Sequence, residues 1–389
     1  MRRPSQARSA GFTLLEVLIG TTISSVVLLA VAATVIGVNS VFQGNSLSKQ
    51  TVEGSRVGMD YLKRTLRLAG YGLDPALAFD FNTAGLPGNA KDNFVQDLTP
   101  WGTVITDDLA FRYRDPMYLR RGHVSGSGPY TLNLEAGTSF GQGFRLGQTL
   151  LLACPGGLEY FLGRLNADAL ATANTAALTA VPESPALPAC LTNADRPAFV
   201  LLVHEKRLRV ESFGGRPYLV VRHGWAADSD FDPLVANVES FQVAYQMNRP
   251  PASSTCCVGQ AAPDATEGTG TSWLLGDEDV ALLPNTGPTR PTYDTQYDAV
   301  ERYTAHPANI RAVRVGLTVR SSRQQPSQAR ELEPPPRLLN APAPAGTDAF
   351  FRSTVETSIR VPNMTSRTFF IPDLRNPTDA TSKKNVGGG

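Results

Sequence analysis

The stretch that most constrains this chain is an apolar run from Val17 to Val38, 22 residues without one charge. At about 1.5 Å of helical rise per residue it is long enough to cross a hydrocarbon core of roughly 30 Å. Three arginines, Arg2, Arg3 and Arg8, precede it, and between Phe12 and Ser48 the one ionisable side chain is Glu16. A carboxylate at the head of a lipid-length helix is costly in hydrocarbon, which marks Glu16 as a candidate functional group. Three readings compete. A secretory signal peptide would place small-residue cleavage chemistry after the apolar run, and none follows promptly. A plain membrane anchor leaves Glu16 without a role. A leader cut between Gly11 and Phe12, on the cytoplasmic side, leaves the apolar helix on the mature protein and accounts for the order of basic leader, glycine, glutamate and run.

Gly11-Phe12-Thr13-Leu14-Leu15-Glu16 followed by that run resembles the prepilin signal of type IV pilins and type II secretion pseudopilins. The resemblance implies removal of residues 1–11 by a membrane prepilin peptidase and N-methylation of Phe12. It also implies that Glu16 pairs with the N-terminal amine of a neighbouring subunit. Elementary electrostatics supports that role, since two opposite charges at one bilayer depth offset each other's desolvation and a wrong register leaves one unpaired. A second, finer resemblance lies in Tyr61-Leu62-Lys63-Arg64-Thr65-Leu66-Arg67-Leu68-Ala69-Gly70-Tyr71-Gly72, which is similar to the helix end of minor pilins of the PilW type. Val238 to Tyr245, Ile310 to Leu317 and Ser358 to Asn363 resemble the same family, with Pro362 interrupting its usual ending.

No proline occurs between Pro4 and Pro75 in a chain that holds 29. An interior proline costs a helix about 3 kcal/mol, so the gap predicts one continuous helix from Phe12 to about Ala69. Beyond the membrane Met59, Leu62, Leu66 and Ala69 recur at helical spacing, with Arg56, Lys63, Arg64 and Arg67 elsewhere. Glycines 37, 44, 54 and 58 read as soft points, and Gly70-Tyr71-Gly72 as the stop.

From residue 75 the patterns become β. Leu109 to Tyr113, Tyr130 to Leu134, Gln148 to Ala153 and Glu159 to Leu165 are short apolar or alternating runs. Phe199 to Glu211 and Pro217 to Trp225 flank Gly214-Gly215, a hairpin signal. Asn237 to Met247 alternates, with Phe241, Val243, Tyr245 and Met247 on one face. Ile310 to Arg320 places Val313, Val315, Leu317 and Val319 inward, Arg314 and Arg320 outward, and Phe350 to Val361 closes the set. The expected organisation is a leader over 1–11, a helix over 12–72 that is transmembrane about 14–38, and an extracytoplasmic β-rich head over 73–372. That head carries irregular insertions at about 166–198 and 249–309, and residues 373–389 form a disordered polar tail. The fold class is α+β, a long N-terminal helix packed on an antiparallel β-rich head.

Little else in the chain carries chemistry. Net charge is +1 and no basic block remains outside the leader, so no nucleic-acid partner is expected. Four histidines, at 123, 204, 223 and 306, lack ligand spacing, no phosphate loop opens a helix, and no enzyme activity or cofactor is expected. Asp228, Asp230 and Asp232, with Glu239, superficially match a calcium loop, but Pro233 stands where glycine is wanted, which favours a solvated acidic loop. Cys154 and Cys190 bracket most of the alanine-, asparagine- and proline-rich loop, and a bridge there would stabilise by about 3 kcal/mol through loop entropy. The pairing of Cys256 and Cys257 stays open. The functional expectation is a low-copy minor pilin that helps initiate or cap a type IV pilus, reaching its site from the bacterial inner membrane. Its expected partners are other minor and major pilins, the prepilin peptidase, the inner-membrane assembly platform and the lipid bilayer. A type II secretion pseudopilin and a tip adhesin are the alternatives.

Overall fold

The computed structural model describes residues 13–80, 92–99, 102–155, 159–181, 184–224, 231–248, 272–275, 310–324, 338 and 347–365. Helix α1, Leu14–Leu66, runs unbroken for 53 residues, about 80 Å. Its first half is exposed, with none of its residues buried against the described residues. From Gly44 onward one stripe is buried, comprising Gly44, Leu47, Thr51, Ser55, Gly58, Met59, Leu62 and Leu66 at spacings of one to four residues. The upper part of that stripe is small for a reason of packing. A Cβ on Gly58 would lie 2.9 Å from Leu317 Cδ2 and 3.1 Å from Val235 Cγ2, and one on Gly54 3.3 Å from Val319 Cγ1. These two glycines are therefore close-approach sites between helix and sheet, a correction to their reading as soft points.

The helix closes through a device at the far end of the chain. Gly70 sits at φ 75°, a left-handed conformation that suits glycine, and its N–H donates to Arg112 O at 2.9 Å. Asn363 Nδ2 donates to Arg67 O at 2.9 Å and to Ala69 O at 3.3 Å. The side chain thus satisfies carbonyls that a helix terminus leaves without partners.

Fifteen strands are described, every pairing antiparallel. In chain order they are β1 (Phe79–Asp80), β2 (Asp92–Thr99), β3 (Gly102–Asp107), β4 (Leu109–Ser125), β5 (Tyr130–Leu134), β6 (Thr149–Ala153), β7 (Tyr160–Leu165) and β8 (Thr175–Ala180). There follow β9 (Ala198–Phe213), β10 (Arg216–His223), β11 (Phe231–Ala236), β12 (Val238–Asn248), β13 (Ser272–Leu275), β14 (Ile310–Arg320) and β15 (Arg352–Arg360). The nine-stranded sheet runs β1-β4-β5-β8-β7-β6-β9-β10-β11, and β4 also pairs β9. Strands β4, β5, β8, β7, β6 and β9 therefore close into a ring. Its interior is filled by Val124, Leu132, Phe140, Phe144, Leu150, Leu152, Phe161, Leu178, Val200 and Leu202, side chains that alternate inward as closure demands.

This small barrel is absent from the sequence expectation, which treats 166–198 as an excursion. The stretch instead supplies β8, which completes the ring. Its alanine-rich composition hides the strand, because Thr175–Ala180 offers only Ala176 and Leu178 to the interior.

The second sheet, β13-β12-β14-β15, joins β10 and β11 beneath α1. There Met59, Leu62, Leu66 and Ala69 meet Leu219, Val221, Val235, Phe241, Val243, Tyr245, Val313, Val315, Leu317 and Val319 in one core. Arg320 does not face outward as its alternation suggests. It is buried beside Glu239 at 3.8 Å, with its guanidinium 4.6 Å from the Phe350 ring centroid. The reason is that Glu239 is itself buried and bound by Arg352, through Nε–Oε2 at 2.6 Å and Nη2–Oε1 at 2.9 Å.

Candidate functional site

The site is built from the first turn of α1. Thr13, at φ −74° and ψ 148°, is the N-cap, and Glu16 stands three residues on, the spacing of a capping box. Glu16 N–H donates to Thr13 Oγ1 at 3.3 Å, while Glu16 Oε2 accepts from Thr13 N at 2.9 Å and Thr13 Oγ1 at 3.0 Å. Two bonds thus fix the carboxylate over the helix N-terminus, where the macrodipole favours negative charge, and the third closes the box through the Glu16 backbone. Both of these carboxylate bonds use Oε2, and among the described residues Oε1 accepts none. Gly11 and Phe12 lie outside the described residues.

Behind this carboxylate the helix is bare. Leu14 is 86% exposed and Leu29 71%, and the most apolar window of α1, with mean hydropathy 2.2, buries no residue against the rest of the chain. By length and composition this segment can cross a membrane. Chemically, the site offers one fixed carboxylate oxygen at the head of an unpartnered apolar column. That arrangement suits recognition of a cation at the same depth on an adjacent helix, and nothing in it activates a nucleophile.

The other candidate residues do not join it. Cys154 and Cys190 are bonded as a disulfide, Cα atoms 5.9 Å apart, which ties the short turn Ala189–Thr192 to the end of β6. Glu159 Oε2 lies 3.7 Å from Cys190 Sγ, and with both sulfurs engaged in the disulfide the trio is not a metal centre. Asp232 lies on β11 and pairs with His223 at 2.8 Å. Asp228 and Asp230 lie outside the described residues, as do Cys256, Cys257, most of the 249–309 insertion and the 373–389 tail.

A buried ion pair and a half-buried polar cluster are among the groups that escape the sequence reading. Arg112 Nε and Glu205 Oε1 pair at 2.9 Å, with Arg164 Nη2 at 3.5 Å from the same oxygen. Asp115 accepts from Met117 N at 2.7 Å and Tyr118 N at 3.1 Å and meets His204 Nε2 at 2.9 Å. A charged residue within an apolar alternation, as Glu205 stands in β9, is the signal that points to the first pair.

Two family models match the chain. The prokaryotic N-terminal methylation motif covers residues 6–32, which hold the capped carboxylate and the bare helix. This chain is a type IV pilin-like protein. The model described as type IV pilus-assembly protein W covers residues 209–363, from the end of β9 to the asparagine that caps α1. Its likeness is to minor pilins of the PilW type, and the matches together with the fold support a minor pilin role. Both families are structural ones. Among solved structures, a type IV-like pilin from Thermus thermophilus is 14% identical over 56% of this chain and 86% of that one, with a TM-score of 0.20 that carries no argument. No curated protein matches the chain.

Proposed function

We propose that this chain is a minor pilin acting in initiation of a type IV pilus and at its tip, by lateral packing of its apolar helix against those of other pilins. The observation that carries the reading is the Thr13–Glu16 capping box at the head of an exposed lipid-length helix. In this reading the prepilin peptidase cuts between Gly11 and Phe12, and the Phe12 amine is methylated. The helix is held in the inner membrane with the head outside, among the minor and major pilins and the assembly platform. A head built from a barrel and a second sheet is awkward to repeat along a tightly packed fibre, which favours a low-copy place at the end.

The register would be set by Glu16 Oε1 receiving the ammonium of a neighbour's Phe12, while Thr13 holds Oε2. N-terminal mass spectrometry of the mature protein should find methylated Phe12; a chain still beginning at Met1 overturns the reading. Glu16→Ala should leave cleavage and insertion intact and abolish recruitment into sheared pili. Glu16→Asp should be intermediate, keeping charge with shorter reach. Glu16→Gln should fall near alanine, because an amide cannot neutralise an ammonium. Equal incorporation of the alanine variant would show that apolar packing alone sets the register.

A further inference from the structure

Where α1 leaves its apolar segment, the turn after β14 folds back beside it and encloses a cleft of about 420 Å³. Phe42, Gln43, Ser46 and Gln50 form the helix wall, Leu47 the floor, and Arg323 the opposite wall. Phe42 is 70% exposed, and Gln43, Ser46, Gln50 and Arg323 are all exposed. The side chains of these four polar residues make no hydrogen bond to any described residue, and no described carboxylate pairs Arg323. The nearest helical cation, Lys49, is already matched by Glu53 at 3.6 Å. Among the described residues, the cleft therefore carries one unbalanced positive charge beside open amide and hydroxyl groups.

Its height along the helix says what it meets. Phe42 stands 28 residues beyond Leu14, about 42 Å of helical rise. A bilayer with its headgroups measures about 40–45 Å, so Phe42 reaches the far headgroup layer when Glu16 lies at the near one. The ordinary tilt of about 20° lowers the rest of the cleft toward that layer. An exposed aromatic at the mouth and a cation above it suit the interface, where rings sit at headgroup level and basic groups attract anionic lipid.

We propose that this cleft binds the headgroup of a net-anionic phospholipid in the leaflet that faces the head, with Arg323 on the phosphodiester and Gln43, Ser46 and Gln50 on its oxygens and hydroxyls. The proposal rests on Leu14 to Val38 spanning the bilayer. A zwitterionic lipid brings its own ammonium and gains less from a lone arginine. The bound lipid would hold the head at a fixed height over the membrane.

The test uses the full chain. Membranes are first washed with alkaline carbonate: extraction of the protein overturns the span, and the lipid site with it. If the protein is retained, it is purified in mild detergent with equimolar phosphatidylglycerol and phosphatidylethanolamine, and bound lipid is read by native mass spectrometry. The expected preference for phosphatidylglycerol is about fivefold, the ratio one basic residue near an anionic surface supplies. Arg323→Gln should erase it, and so should Ser46→Trp, which fills the cleft without removing charge. Lys49→Gln removes the same charge from an occupied pair and should keep it. No preference in the retained wild type, or equal loss in Arg323→Gln and Lys49→Gln, overturns the headgroup site. Displacement by equimolar inorganic phosphate would overturn it in favour of a free-anion site. A photo-crosslinker at Gln43 that captures protein instead of lipid would assign the cleft to a neighbouring subunit and also overturn it.

Discussion

At the scale of single residues, buried charge contributes to this head only while its partners stay in place. Arg112 and Glu205 are each 2% exposed, and removing one member of such a pair costs about 3–5 kcal/mol because the other charge remains buried. Glu205→Leu should therefore lower the head's stability by about that amount in urea. The double variant Arg112→Met with Glu205→Leu should recover most of the loss, since well-packed apolar residues replace a buried pair at little cost. A double variant no better than the single would show that the pair has another structural duty. Glycines 54 and 58 give the opposite lesson in legibility. Sequence shows two weak helix formers, and only the positions of Val235, Leu317 and Val319 reveal that they are spaces.

At the scale of elements, the helix was readable because hydrophobic period, proline absence and terminal glycines all agree, and the pattern ends within a turn of the observed α1. Strands β9, β10, β12 and β14 were readable for a similar reason, their β-branched alternation. Closure of the ring was not, since it depends on a bulge in β4 between Arg114 and Leu119 and on register between distant strands. Asp115 organises that bulge. Burial pushes its carboxyl up, but bonds from Met117 N–H, His204 and Tyr118 N–H outweigh this and hold its pKa below the usual value. A carboxylate depressed in the folded state stabilises fully above its unfolded pKa, near 3.9, and the contribution is lost as pH falls through the lower folded value. The stability difference between wild type and Asp115→Asn should thus be constant from about pH 7 to 5 and shrink below about pH 4. A difference that instead grows on acidification would show that the charge at Asp115 opposes the bulge.

At the scale of the whole molecule, the question is where the membrane part ends and the head begins. Composition places that boundary near residue 73, after the helix, because β signals start there. The packing places it earlier. Leu47, Met59, Leu62 and Leu66 are 0–5% exposed, and the last three join the core with β10, β11, β12 and β14. Burying each such side chain is worth about 1.5–3 kcal/mol, so the four together contribute about 6–12 kcal/mol. That is comparable to the entire net stability of a typical domain, about 5–15 kcal/mol. A fragment comprising 39–389 should accordingly be soluble, fold cooperatively and give a β-rich circular dichroism spectrum with a helical component. A fragment comprising 73–389 should lose the floor of the core and the helix-end carbonyls that Asn363 binds, and should aggregate or melt without cooperativity. Limited proteolysis and thermal melts of the two fragments decide the matter. A stable, cooperative 73–389 fragment would mean that the barrel and second sheet suffice alone, and that the upper half of α1 is an attachment instead of a core element.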